Sequence, residues 1–247
     1  MPRTEVLLVL LGLAACGPMH RPLPESMAPH RPLAESMPPT SGAMALAPAV
    51  DTALATTTPR LGCGDRLSVD AWERRFDNGR RSSTTALLAY GERILPELKR
   101  IVADAGAPPG LALVPAIESG FRANTTGRRG ERGLWQLKAH RARQLGLVVT
   151  PARDDRVDPE LATRAATRHL LTLRETYGDW ALALAAYVAG EGCVDRALRD
   201  RRGATFWELA DEARLPRTAR NFVANVFVLV RIAAPEECER AADGTLL

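Results

Sequence analysis

The stretch Val114-Pro115-Ala116-Ile117-Glu118-Ser119-Gly120-Phe121 sets a carboxylate at the end of an apolar helical run, with a helix-stopping glycine close behind it. Two effects raise a carboxyl pKa in such a place: the apolar wall withholds water from the charge, and the helix terminus presents the negative end of its dipole. A carboxyl group that keeps its proton near neutral pH is what protonation of a glycosidic oxygen requires. Alone this is weak evidence, because a glutamate at a helix end is more often solvated than catalytic.

The surroundings add weight. Fifteen residues beyond Glu118 comes Gly133-Leu134-Trp135-Gln136, and far beyond that Ala186-Tyr187-Val188-Ala189-Gly190-Glu191-Gly192. A sugar cleft needs an acid, an apolar or aromatic platform for sugar faces, and polar side chains for acetamido groups or for the acid itself. Glu118, Trp135, Gln136 and Tyr187 are residues of those types. Trp72, Trp180, Phe206, Trp207 and Phe227 read as core rather than as platforms. A two-carboxylate hydrolysis calls on a second acid. Glu131, Asp154, Asp155, Asp158 and Glu191 are the candidates, and the sequence places none of them across from Glu118. Glu191, between two glycines, reads first as a turn-stabilising or solvated side chain.

In order and spacing, Glu118-Ser119, Gly133-Leu134-Trp135-Gln136 and Ala186-Tyr187 resemble the motifs of soluble lytic transglycosylases, in particular their membrane-bound members. The flanks Asp154–Pro159 and Arg220-Asn221-Phe222-Val223 are similar as well, so the resemblance runs from about residue 69 to 235. It implies a lysozyme-like fold that cuts peptidoglycan glycan strands between N-acetylmuramic acid and N-acetylglucosamine, leaving 1,6-anhydromuramic ends. Glu118 would be the acid/base residue and Tyr187 would help set its protonation. Ser119 and Gln136 would line the cleft, and Trp135 would face a sugar or pack beneath it. One position departs from the family: Val188 stands where an asparagine is usual. Two other readings stay open, a hydrolytic muramidase and a non-catalytic peptidoglycan-binding lipoprotein.

The elements that must position these residues are helical. From 84 to 105, Leu87, Leu88, Ile94, Leu95, Leu98, Ile101 and Val102 fall near one face, with Pro96 as a break or kink. Pro108-Pro109-Gly110 breaks the chain before a helix from Leu111 to Glu118. Asp158-Pro159-Glu160 has the form of an N-cap, a first-turn proline and an acid at the positive helix end. That helix runs to about Tyr177, and Gly178-Asp179 opens another through Tyr187. Gly190-Glu191-Gly192 reads as a turn before a short helix, Cys193 to Arg199; a last helix spans Ala219 to Ala233. Strand signals are nearly absent. The expected fold is mainly α, one lysozyme-like helical domain over 61–247 preceded by a disordered linker.

The N-terminal part differs in kind. Val6 to Leu13 is an apolar run after Arg3, too short for a helix across a ~30 Å bilayer core. Leu13-Ala14-Ala15-Cys16 resembles a bacterial lipobox, so residues 1–15 read as a lipoprotein signal peptide and Cys16 as the lipidated residue. Residues 16–60 hold nine of the eighteen prolines and a ten-residue near-repeat from His20 to Pro39, the pattern of a Pro-stiffened linker reaching roughly 35 Å. Gly17 after the cysteine leads to the expectation of outer-membrane anchoring facing the periplasm. Of the remaining Cys63, Cys193 and Cys238, an odd number, at most one internal pair can form and the sequence does not choose it. The four histidines and the cysteine spacings fit no metal site, and no cofactor is expected. A net charge of +4, with arginines interleaved among acids, argues against a nucleic-acid face. The expected partners are glycan strands and, through the lipid, a membrane; the chain is read as a monomer.

Overall fold

The acid-bearing helix has six residues, too few to persist without tertiary support, so the fold is best followed through what holds that helix. The computed structural model describes Leu61, Asp70 and residues 84–238, all within one compact unit; a second unit, Gly17–Thr57, lies outside the described residues. The expected leader, the expected lipidation residue Cys16, the expected linker, Cys63 and Trp72 lie outside them too.

The regular elements of the described residues are helices, and the irregular stretches between them carry only isolated bridges. Helix α1 covers 84–91 and α2 Leu95–Asp104. The break expected at Pro96 falls at 92–94, and the proline sits in the first turn of α2, where its missing N–H has no intrahelical partner to lose. A 3-10 turn, Pro109–Leu113, runs into α3, Val114–Ser119, so the single helix expected over Leu111–Glu118 is two elements. Pro115 opens α3, and Gly120, in the left-handed region at φ 62°, ends it. Two short helices, α4 (Ala139–Gln144) and α8 (Phe206–Asp211), were not expected.

Helix α5, Pro159–Tyr177, begins as the sequence indicates: the Asp158 carboxylate accepts from the Leu161 N–H at 2.8 Å. Asp179 caps α6, Trp180–Ala189, in the same way, accepting from the Leu182 N–H at 2.7 Å. Residues 180–186 of α6 are all buried, because the helix is apolar on every side and packs against α5, α7, α8 and α9. Only Gly190 makes the turn after it; Glu191 and Gly192 already belong to α7, Glu191–Leu198. The last helix, α9 (Arg217–Ala233), buries Phe222, Val223, Val226, Phe227 and Val230 against α6, α3 and the Pro109–Leu113 turn. Among the described residues no helix is long and apolar enough to cross a membrane.

Two anchors lie outside the helix contacts. The buried Glu237 carboxylate accepts from the Gly110 N–H at 3.0 Å and from the Leu61 N–H at 3.2 Å, tying the C-terminal turn to the entry of α3. Cys193 and Cys238 are both disulfide-bonded, so no described cysteine is a free thiol.

The irregular segment from Gly120 to Lys138 is held from beneath by Arg156. Its buried guanidinium donates to the carbonyls of Gly130 (2.8 Å) and Leu137 (3.0 Å) and pairs with Asp154 at 2.8 Å. Gly133 lies directly on this residue's backbone: at φ 83°, a Cβ there would stand 1.7 Å from the Arg156 carbonyl oxygen. Gly146 has the same backbone conformation, φ 86°, but open space around it. The two glycines therefore separate conformational strain from collision. Gly146→Ala should lower stability by about 1–2 kcal/mol, the left-handed penalty alone. Gly133→Ala adds a backbone clash and should exceed about 3 kcal/mol or prevent folding. Thermal melts of both variants check this; equal losses would contradict it.

Candidate active site

Glu118 occupies the last turn of α3, with Val114, Pro115, Ala116 and Ser119 buried beside it. The side chain is half-buried, and protein packs round the carboxyl closely enough that loss of hydration pushes its pKa up to about 8. The second cause is the negative charge of Glu131, in the loop that follows. The sequence reading attributed that second contribution to the helix terminus.

Tyr187 comes from the end of α6. Its hydroxyl donates to the Trp135 carbonyl at 2.8 Å, and its phenol is held well above its ordinary pKa by burial and by Glu118. The two side chains thus share one electrostatic environment. Behind Tyr187 lies His169 of α5, with ring centroids 5.9 Å apart. Burial, reinforced by Arg141 and opposed by Glu191, pushes this imidazole down to about 4, so it is neutral at neutral pH and supports the tyrosine as an uncharged wall.

The structure shows what three of the expected site residues touch. Trp135 is 1% exposed, and its indole N–H donates to Thr163 Oγ1 at 2.9 Å, so the ring packs in the core and does not face a sugar. Its backbone carbonyl reaches the site instead, through Tyr187. Ser119 is fully buried; its hydroxyl donates to the Pro115 carbonyl (3.2 Å) and accepts from the Arg122 N–H (3.2 Å), so it closes α3 and does not line a cleft. Gln136 is partly exposed, but its amide nitrogen donates to the carbonyls of Gly133 (2.8 Å) and Thr125 (3.1 Å). Those bonds hold Gln136 in the left-handed region at φ 46°, an uncommon place for this residue. Its Oε1 lies over Gly127, 2.9 Å from where a Cβ on that glycine would stand.

Phe121, also left-handed at φ 59°, turns its ring under α1, where a Cβ on Gly91 would meet it at 2.4 Å. Val188 is a partly buried residue packed on the core. Trp180, Phe206, Trp207 and Phe227 are core residues, as read. Four of the five further acids are engaged elsewhere. Asp154 pairs with Arg156, Asp155 with Arg153 at 2.6 Å and Glu191 with Arg141 at 3.2 Å, while Asp158 caps α5. Glu131 alone of the five acts on Glu118. His169, Thr163 and Arg156 are framework residues that the sequence reading did not single out. Among the described residues no group of three or more metal-ligating side chains occurs.

A helical domain with a water-deprived glutamate at a helix end, faced by a tyrosine from the central helix, defines a class of protein by its site. Residues 98–210 match the family described as Transglycosylase SLT domain. The match covers α3, the loop after it and α6; α9, which packs against α3, lies beyond it. The chain is similar to membrane-bound lytic murein transglycosylase D of Escherichia coli strain K12, with 32% identity over 127 residues, 49% of this chain and 27% of that protein. The protein of that name from Escherichia coli O6:H1 matches to the same extent. Peptidoglycan transglycosylase gp16 of Escherichia phage T7 is 32% identical over 118 residues, 47% of this chain and 9% of the phage protein. The chain therefore spans about a quarter of the length of the bacterial relatives it matches.

The raised pKa has a consequence for stability. The folded state holds the Glu118 proton more tightly than the unfolded chain, whose carboxyl titrates near 4.5, so stability falls as pH rises from 4.5 towards 8. Glu118→Gln cannot ionise. It should melt above the wild type at pH 8 and higher, by roughly 1–3 kcal/mol, and the gap should close towards pH 4. A gap that does not change with pH would contradict the burial of this charge.

Proposed function

We propose that this chain is a peptidoglycan lytic transglycosylase in which Glu118 acts first as acid and then as base. The observation that carries the reading is a carboxyl held at about pKa 8 within the stretch that matches the transglycosylase SLT domain. Protonated near neutral pH, Glu118 gives its proton to the oxygen between N-acetylmuramic acid and N-acetylglucosamine as the C1–oxygen bond breaks. The carboxylate then takes the proton of the muramic C6 hydroxyl as that oxygen closes on C1. Proton and carboxylate return to their starting state, a 1,6-anhydromuramic end is formed, and no water is consumed. The low hydration that raises the pKa also strengthens the interaction of the carboxylate with positive charge developing at C1.

Tyr187 is suited to guide this cycle. Its own proton is directed at the Trp135 carbonyl, which leaves the phenolic oxygen to accept from the protonated Glu118. His169, neutral behind it, adds no charge that would favour early ionisation. Ahead of the domain, a lipid on Cys16 and the Pro-rich segment to residue 60 would tether the enzyme to the outer membrane on its periplasmic side.

Two measurements test this reading. Wild type should release anhydromuropeptides from purified sacculi, each lighter by one water than a muramidase product, and Glu118→Gln should release them at least about 100-fold more slowly. Products carrying the extra water would point to hydrolysis. Sacculi left equally intact by both proteins would point to a binding lipoprotein. Separately, Cys16→Ser should abolish incorporation of labelled fatty acid and move the protein to the soluble fraction; unchanged membrane recovery would refute the anchor.

A further inference from the structure

The chain that leaves the acid-bearing helix is cationic. Residues 120–132 hold four arginines, Arg122, Arg128, Arg129 and Arg132, against the single acid Glu131. Arg132 is paired with Asp154 at 3.6 Å, and Arg141 of α4 with Glu191 at 3.2 Å. Arg122 is different. Among the described residues no carboxylate pairs with its guanidinium, which lies instead over the ring of Tyr90 on α1, 5.6 Å from the centroid. Tyr90 is 58% exposed, the most exposed large apolar side chain among the described residues.

The backbone after α3 places this pair beside the site. The Arg122 N–H donates to the Ser119 hydroxyl at 3.2 Å, and the Arg122 carbonyl accepts from the Thr125 N–H at 3.3 Å. From there the side chain crosses Gly120: a Cβ on that glycine would stand 3.3 Å from Arg122 Nη1 and 3.6 Å from Leu87 Cδ1. Leu87 and Tyr90 are three residues apart on α1 and share a face. The guanidinium is therefore laid along that face, from the end of the acid-bearing helix to an exposed ring. Arg122 follows Glu118 by four residues, a stretch of chain that spans at most about 14 Å.

A cation seated on an aromatic face has lost part of its rotamer freedom before a ligand arrives, so an anion that meets it bears less of the ordering cost. The planar fork of arginine matches a carboxylate with two parallel hydrogen bonds. Along a glycan strand N-acetylglucosamine is uncharged. Muramic acid carries a lactyl ether that ends in a peptide with free carboxylates, or in its own carboxylate where the peptide is absent. We propose that Arg122, held on Tyr90, binds a carboxylate borne by the muramic acid substituent, so that the enzyme favours strands carrying that charge. This inference rests on Glu118 acting on such strands. An arginine at the carbonyl end of a helix also stabilises the helix dipole, so stability is measured alongside binding.

The test is the affinity of the full chain for soluble glycan strands, in the Glu118→Gln background so that strands stay intact, with thermal melts of each variant. Strands with native stem peptides are compared with strands stripped of stems by an amidase and with strands whose carboxylates are converted to amides. Arg122→Gln should melt close to its parent and bind native strands about tenfold more weakly, the effect of one charge-assisted pair. Amidated strands should bind both proteins alike. A loss that persists on stripped strands assigns the lactyl carboxylate; a loss confined to native strands assigns the stem peptide. Tyr90→Ala, at an exposed position, should weaken native-strand binding severalfold and covers the case in which the Arg122 variant fails to fold. Native strands bound equally tightly by a folded Arg122→Gln and its parent overturn the proposal. So does an equal loss on amidated strands, which would mark a structural role at the end of α3. Failure of the underlying reading has a different signature: the Glu118→Gln parent would itself cleave sacculi as the wild type does.

Discussion

The constraint on which the rest of the structure depends is the withheld hydration of one carboxyl group. An acid held at about 8 instead of 4.5 penalises the ionised fold, so it persists only if the surrounding protein cannot relax around the charge. Helix α3, six residues long, is too short to resist on its own. It is clamped by the buried Pro109–Leu113 turn before it, by Gly120 and the buried Ser119 hydroxyl after it, and by α9 behind it. The Glu237 carboxylate extends the clamp by fixing Gly110 at the entry to the turn.

The loop over the site is held just as firmly, and at points that recur in the motifs. Gly133 rests on the Arg156 backbone, the Trp135 indole bonds to Thr163 on α5, and the Trp135 carbonyl receives the Tyr187 hydroxyl from α6. One tryptophan thus joins α5 and α6 to the loop that carries Glu131 and Gln136. Glycine, tryptophan and glutamine in this stretch work mainly as framework, and the framework fixes the electrostatic setting of Glu118.

How much of this was legible in the sequence follows from how local each signal is. Asp158, Asp179 and Gly178 act on their own or neighbouring turns, so the bounds of α5 and the start of α6 could be read directly. Glu118 was legible because an apolar run and a nearby glycine together define a desolvated helix end. The burial of Trp135 was not, since a tryptophan in an irregular loop belongs to no period that reveals which way its ring turns. The same holds for the influence of Glu131 on Glu118, thirteen residues earlier in the chain. Helix α8 did leave a sign that was overlooked, the Thr205 and Glu208 capping box. Helix α4, six residues and mostly polar, left none.

The proposed chemistry turns on where Glu118 titrates. Carbon NMR of the wild type with labelled glutamate, the Glu118 carboxyl assigned by its loss in Glu118→Gln, measures this without substrate. The expected result is a carboxyl resonance with its midpoint at about 8. A midpoint near 4.5, the ordinary value for a glutamate, would contradict it.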